Sequence, residues 1–165
     1  MPIVSTTKMT ARQFLELGQD PPGVRLELVN GEVAVSPSPT PKHSHVVVRL
    51  ISNDEYNVRR PDVLFFAKSR THLIGEKAME GPPDLAVEVL SPCSIEVDRE
   101  DKFAQYCDAG VAHYWIVDPA HRTIEGWRLE GGQYVPTGRG QETDVVRLLP
   151  FVDLDVSLAR LWRAA

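Results

Sequence analysis

Apolar and polar residues alternate through GVRLELVNGEVAV, residues 23–35, on either side of an Asn30-Gly31 pair. This pattern predicts an N-terminal β-hairpin, because Asn-Gly is the strongest short-range signal for a two-residue hairpin turn. A turn of that length pairs Val29 with Glu32 and so fixes the register of the two strands. One predicted face is apolar and carries Leu26, Leu28, Val33 and Val35. The opposite face is polar, could meet solvent or a cleft, and carries Arg25, Glu27 and Glu32.

Three segments carry the start and stop signals of α-helices. Thr10 and Gln13 form a capping box and Gly18 supplies a stop, which predicts a helix at 11–17. DREDKFAQYCDAG predicts a second helix that starts at Asp98 and ends at Gly110. A terminal helix at about 156–163 is predicted to turn three side chains inward, Leu158, Leu161 and Trp162.

Short runs rich in β-branched and aromatic residues predict the strands. PDVLFFA, DLAVEVL and HYWIVDP each predict one strand, and TIEGWRLEGGQYVP predicts a hairpin around Gly131-Gly132. HSHVVVRLIS predicts either a strand or a short helix, because periodicity cannot decide so short a run. The polar segment 69–83 is predicted to be a loop. Together these elements predict an α+β fold with one mixed, mainly antiparallel sheet flanked by helices.

Length, charge and cysteine content narrow the possible domain count, binding partners and cellular location. At 165 residues the chain fits one domain spanning 1–165. The net charge of −5 gives no general attraction to nucleic acid, so contact with phosphates would need a local basic patch or a metal ion. The sequence has no long apolar run and no secretory signal, and it has two cysteines. We therefore expect a cytoplasmic protein with no membrane contact.

Glu88 interrupts an otherwise apolar strand, and a carboxylate in a sheet core is costly unless something compensates it. Asp84 lies on the same face, but four strand residues span about 13 Å, too far to share one metal ion. Asp62, at the start of the PDVLFFA strand, could instead lie opposite Glu88 if that strand returns as its neighbour. Two such carboxylates suit Mg²⁺. On spacing alone, a solvated Glu88 or one paired with arginine remains an open alternative.

The motifs in their order along the chain resemble a known family. RLELVNGEV, SPSPTPKHSHVVVRL, RRPDVLFF and PPDLAVEVLSPCS, followed by DREDKFAQYCDAGVAHYWIVDP, are similar to the Uma-two restriction endonuclease family. This is a bacterial family, expanded in cyanobacteria, of the PD-(D/E)xK nuclease superfamily. The resemblance covers nearly the whole chain and implies a restriction endonuclease-like core. It also implies a Mg²⁺-dependent endonuclease acting on DNA, with Mn²⁺ as an alternative ion.

The resemblance implies a catalytic set as well. Asp62 matches the aspartate of the PD motif and Glu88 its second acid, and these two residues would hold the metal. The motif lysine would fall at position 90, where this chain has Leu90. Lys102, in the following helix, matches the lysine that this family supplies instead. Without the resemblance, Lys102 would be interpreted as a solvent-exposed lysine on a helix surface. Asp62 would be interpreted as part of a turn before a strand.

Four further residues match the pattern. Glu27 looks like an additional upstream acid, although an exposed strand residue is an equal alternative. His43, after the proline-rich loop, would contact the phosphate of the substrate or cap a helix. Asp98 and Tyr106 also match, and Tyr106 is expected in the core.

One departure from the family pattern opens alternatives. Around 52–60 the chain is shorter than expected for the rest of a helix and a further strand, so either the protein has lost a segment or the sequence omits one that the protein has. A catalytically silent binding or interaction module is therefore the alternative function, and a metal-free hydrolase with paired carboxylates is a third. A homodimer would follow by analogy with nucleases that cut two strands.

Overall fold

The computed structural model of the protein describes most of the chain. The described residues are 8–18, 20–37, 50–51, 57–75, 78–92 and 94–162. Their contacts group into two compact units, one formed by the described parts of Met1–Arg60 with Ile74–Gly81, the other by Pro61–Leu73 with the described parts of Pro82–Ala165. Within these ranges, no helix is long and apolar enough to cross a membrane.

The first unit begins with helix α1, Ala11–Glu16, close to the predicted bounds. Both halves of the predicted capping box form: Gln13 N–H donates to Thr10 Oγ1, and Thr10 N–H donates to Gln13 Oε1. The backbone turns at Gly18, whose φ of +83° favours glycine. Phe14 is the buried anchor of the helix.

The predicted hairpin is confirmed in its register. Strands β1, Val24–Val29, and β2, Glu32–Pro37, run antiparallel and pair Val29 with Glu32. Asn30 and Gly31 both have positive φ, as the tight turn requires. On the other side of β1 lies strand β4, Val58–Arg59, which also pairs with β3, Leu50–Ile51. The sheet order is therefore β2-β1-β4-β3.

The predicted faces of the hairpin are only partly right. Leu28 is fully buried with Ala11, Phe14 and Val58. Val35, in contrast, is 64% exposed, and Val33 is also exposed. The reason is that α1, at six residues, is only about 9 Å long and covers β1 and β4 rather than the edge strand β2.

The short segment around 52–60 does contain a strand, but a very small one. Strand β4 has two residues, whereas a typical strand has about 5–6. Residues 52–56 lie outside the described residues.

The second unit is built on the predicted mixed, mainly antiparallel sheet. Its strands are β5, Val63–Phe65; β6, Leu85–Val89; β7, His113–Asp118; β8, Thr123–Glu130; and β9, Gln133–Gln141. They lie side by side in chain order. All neighbours are antiparallel except β6 and β7, which are parallel. A parallel pair needs a long crossover, and here the crossover carries helix α2, Lys102–Asp108.

Two faces of this sheet are covered differently. Leu85, Val87 and Trp115 share one face and pack with Leu148 and Leu158 in a hydrophobic core. The alternate residues of β6 are Ala86 and Glu88, and they turn to the other face, where α2 packs.

The helical crossover begins earlier than the sequence predicted. A π-helical turn, Val97–Asp101, precedes α2, and Asp98 lies within it rather than at the helix start. Its N–H donates to the carbonyl of Ser94. The predicted stop is confirmed, since Gly110 adopts a φ of +79° directly after the last turn.

The predicted loop 69–83 also contains regular structure. A 3₁₀-helix spans Lys68–Leu73, and Ile74 forms an isolated antiparallel bridge with Met79. Arg70 pairs with Asp84 and with the carbonyl of Pro82, which ties this helix to the start of β6.

The C-terminal helix is shorter than predicted. Strands β10, Val145–Val146, and β11, Val156–Ser157, pair antiparallel, and helix α3 spans only Leu158–Leu161. Leu158 is fully buried as predicted, but Leu161 is 48% exposed, so its predicted inward position is wrong. A single helical turn presents few residues to the sheet, and Leu158 takes that position.

We therefore expect Leu158→Ala to lower the free energy of unfolding by about 2–4 kcal/mol, because it removes buried contacts and leaves a cavity. The matched variant Leu161→Ala, on the exposed side of the same turn, should change it by less than about 0.5 kcal/mol. Urea denaturation of both variants measures the difference. Equal losses would contradict the observed packing.

Candidate active site

Glu88 is the fourth of the five residues of β6 and is 1% exposed. Strand β5 runs antiparallel beside it and pairs Val63 with Val87, so the preceding residue, Asp62, falls opposite Glu88. Directly opposed residues share a face and have Cβ atoms roughly 4.5–5.5 Å apart. The predicted return of the PDVLFFA strand beside Glu88 is therefore confirmed. Asp62 differs in exposure, since it lies at the solvent edge and its Oδ2 accepts the N–H of Val89 at 2.8 Å.

Helix α2 supplies two polar groups to the Glu88 carboxylate. The Tyr106 hydroxyl donates to Oε1 at 2.6 Å, and the Lys102 Nζ lies 3.0 Å from Oε2. Lys102 and Tyr106 are four residues apart, so they lie on one face of the helix. The structure thus brings Lys102 to Glu88, while Leu90 is a buried apolar residue that contributes no amine.

A second buried acid contacts the same amine. Asp98 is 1% exposed and its Oδ1 lies 2.8 Å from Lys102 Nζ. The backbone carbonyl of Asp98 accepts the Tyr114 hydroxyl at 2.9 Å, which attaches the π-helical turn to β7. The resulting carboxylate–lysine cluster consists of Asp62, Glu88, Asp98 and Lys102.

Negative charge dominates the electrostatics of the cluster. Burial raises the pKa of Glu88 to about 8. Lys102 opposes this shift, Asp62 and Asp98 add to it by like-charge repulsion, and the Tyr106 hydrogen bond opposes it. Three carboxylates face one ammonium group, so the cluster favours an additional cation or a bound proton.

Asp62 and Glu88, the two metal ligands expected from the sequence, are chemically suited to bind such a cation. Mg²⁺ in proteins is commonly held by one or two carboxylates together with water and phosphate oxygens. Each oxygen of Glu88 has one contact described above, and a carboxylate oxygen has about two lone-pair positions, so acceptor capacity remains. No set of three or more His, Cys, Asp or Glu side chains in the described ranges is arranged to hold a metal ion by itself.

Glu27 belongs to the first unit and makes its contacts there. Arg59 Nη1 donates to Oε2 at 3.2 Å, and the N–H of Arg60 donates to Oε1 at 2.9 Å. Glu27 and Arg59 are both buried, so the alternative of an exposed strand residue for Glu27 is wrong. These contacts give Glu27 a structural explanation within its own unit, and its catalytic role stays a prediction. His43 lies outside the described residues.

Asp98 and Tyr106 contact the cluster more closely than the sequence predicts. Asp98 is predicted at a helix start and Tyr106 in the core, yet both contact charged members of the cluster. The signal was present in their spacing, because positions 98, 102 and 106 recur every four residues and therefore share one helical face.

These features define an α+β protein with a carboxylate–lysine site at the edge of a mixed sheet. The same fold is seen in a crystal structure described as a putative nuclease belonging to DUF820 from Anabaena variabilis ATCC 29413. The two chains are 21% identical, with a TM-score of 0.72 over 93% of this chain and 97% of the other. That likeness establishes the fold.

The family follows from the sequence comparison. A family model named Uma2, with the description "Putative restriction endonuclease", matches residues 51–160, and the chain belongs to this family. Asp62, Glu88 and Lys102 lie inside the matched segment, whereas Glu27 and His43 precede it. No curated protein matches the chain.

The pKa of Glu88 predicts a pH dependence of stability. Because the pKa is higher in the folded protein than its usual value of 4.5, the folded state holds the proton more tightly. This contribution to stability is present below about pH 4.5 and is lost as the pH rises through about 8. In chelator, wild type should therefore lose stability relative to Glu88→Gln between pH 5 and pH 8, by up to about 1.4 kcal/mol per pH unit.

Urea denaturation at successive pH values measures this difference. Glu130→Gln, an exposed residue at the end of β8, is the matched control and should follow wild type throughout. Parallel curves for wild type and Glu88→Gln would contradict the pKa shift.

Proposed function

We propose that the protein is a Mg²⁺-dependent endonuclease that hydrolyses phosphodiester bonds of DNA, with Mn²⁺ as an alternative ion. The observation that carries this proposal is the opposition of Asp62 and Glu88 across β5 and β6, with Lys102 Nζ 3.0 Å from Glu88. Membership of the family described as "Putative restriction endonuclease" supports it.

Asp62 and Glu88 would hold the metal ion. A metal ion held there would polarise the scissile phosphate and lower the pKa of a bound water. Asp62 lies at the exposed edge of the cluster, so a phosphate group would approach from that side. Glu88 lies behind it in the sheet, held by the Tyr106 hydroxyl.

Lys102 would supply positive charge to the reacting phosphate. Its ammonium group is buried and held by two carboxylates, so it reaches the site with little reorganisation. Preorganised positive charge of this kind stabilises the charge that develops in a phosphoryl-transfer transition state. It would also orient the attacking water by hydrogen bonding.

The net charge of −5 makes such local cations necessary for contact with DNA. Two arginines of β8 and β9 already have acidic partners, since Arg128 pairs with Glu130 and Arg139 with Glu125. We further propose that the protein works in the bacterial cytoplasm, and that two copies cooperate when both strands are cut.

Plasmid cleavage tests the proposed activity. Wild type with Mg²⁺ or Mn²⁺ should nick or linearise supercoiled DNA, and chelator should abolish cleavage. Glu88→Ala and Lys102→Met should each reduce the rate at least about 100-fold, because each removes part of the charge arrangement. Glu130→Gln is the matched control and should cleave like wild type.

Two outcomes would contradict the assignment. Metal-dependent nicking that survives Glu88→Ala would remove Glu88 from the site. Full activity in chelator would instead favour a hydrolase that uses its carboxylates without a metal ion.

One observation favours the alternative of a catalytically silent binding or interaction module. Both oxygens of Glu88 already have a partner from α2, so this carboxylate is compensated without a ligand. Under the proposed function, calorimetry should nevertheless detect Mn²⁺ binding at millimolar concentration or tighter, and Glu88→Gln should weaken it at least about 10-fold. Absence of any Mn²⁺ binding to wild type would support the silent module.

A further inference from the structure

The Lys102 amine lies between two carboxylates that come from different parts of the fold. Glu88 belongs to β6, and its Oε2 is 3.0 Å from the amine. Asp98 belongs to the π-helical turn directly before α2, and its Oδ1 is 2.8 Å away. The proposed metal site uses only Glu88 of these two, which leaves the task of Asp98 to be explained.

Two hydrogen bonds hold the backbone of Asp98. Its N–H donates to the Ser94 carbonyl at 2.8 Å, and its carbonyl accepts the Tyr114 hydroxyl at 2.9 Å. The backbone is thereby fixed from both sides, once within the turn and once from β7. These bonds fix the backbone position from which the Asp98 side chain contacts Lys102.

Stability alone does not explain a buried Asp98. Taking two charges out of water costs several kcal/mol per ion, and apolar residues of similar volume often replace a buried ion pair without loss. Within the described ranges, no group is oriented to donate a hydrogen bond to Asp98 Oδ1, so its close contact with Lys102 is an ion pair. Its compensation therefore depends on where the Lys102 amine lies.

The π-helical turn contributes to the same arrangement. Such turns are rare and occur frequently at functional sites. Here the turn ends at Asp101, so Lys102 is the first residue of the regular helix that packs over Glu88. The irregular turn and the ion pair thus act on the same side chain.

We propose that Asp98 is the positioning residue for Lys102, which holds the amine at the site independently of Glu88. This inference rests on the proposed function, in which Glu88 is engaged by a metal ion during the reaction. Lys102 then keeps a counter-charge in Asp98 and stays beside the phosphate. Without Asp98, the amine would depend on Glu88 for its position, and the metal ion would require the same carboxylate.

The first experiment measures the amine in chelator, with no metal and no DNA. Protein labelled with ¹⁵N-lysine should show a slowly exchanging ammonium signal for the buried Lys102, assigned by its absence in Lys102→Met. We expect Glu88→Gln to retain this signal and Asp98→Asn to lose it. Asp101→Asn, which removes an exposed acid from the same turn, should retain it.

The second experiment separates positioning from binding. Asp98→Asn should lower kcat for plasmid cleavage about 100-fold, since small displacements of a catalytic group have effects of that size. Its KM for DNA and its Kd for Mn²⁺ should remain within about 3-fold of wild type, because the two carboxylates proposed to bind the metal ion, Glu88 and Asp62, are unchanged. Asp101→Asn should match wild type in all three quantities, and the melting temperatures of all variants identify any loss of folding.

The outcomes distinguish this inference from the proposed function. If wild type neither cleaves DNA nor binds Mn²⁺, the proposed function fails, and the ammonium signal still decides what positions Lys102. Survival of that signal in Asp98→Asn, or its loss in Glu88→Gln, would overturn the positioning role. A fall in Mn²⁺ affinity with unchanged kcat in Asp98→Asn would also overturn it.

Discussion

The burial of the Glu88 carboxylate within β6 is the constraint on which the candidate site depends. A carboxylate without water must be compensated by hydrogen bonds and positive charge, or it binds a proton. Helix α2 provides one hydroxyl and one ammonium group on a single face, and Asp62 adds a second carboxylate from the neighbouring strand. Partial compensation of this kind leaves a site that attracts a cation.

The topology of the second unit makes this arrangement possible. Because β6 and β7 are parallel, the chain must cross the sheet between them, and the crossover brings α2 over the Glu88 face. Because β5 and β6 are antiparallel, the start of β5 meets the end of β6, where Asp62 and Glu88 lie. One sheet therefore collects residues that are 40 positions apart in the sequence, from Asp62 to Lys102. The fold itself does not specify an activity, and the proposed activity depends on the chemistry of this cluster.

Local signals predicted the local structure well. The capping box located α1, Asn30-Gly31 set the register of β1 and β2, and Gly110 ended α2. Alternation along DLAVEVL separated Glu88 from the apolar face of its strand. These features depend on contacts between residues close in sequence, which is why the sequence was sufficient for them.

Features that depend on partners distant in the sequence were harder to predict. The exposure of Val35 and Leu161 and the burial of Glu27 depend on which elements cover them, and periodicity only identifies a face. The sequence by itself determined the α+β class and the hairpin register, and its resemblance to a family singled out Asp62, Glu88 and Lys102. Only the tertiary structure decided that Lys102 pairs with Glu88 and Asp98 together, and that Asp98 lies inside a π-helical turn. The physical reason is that a buried charge is stabilised by groups that packing brings to it, and packing joins residues far apart in the chain.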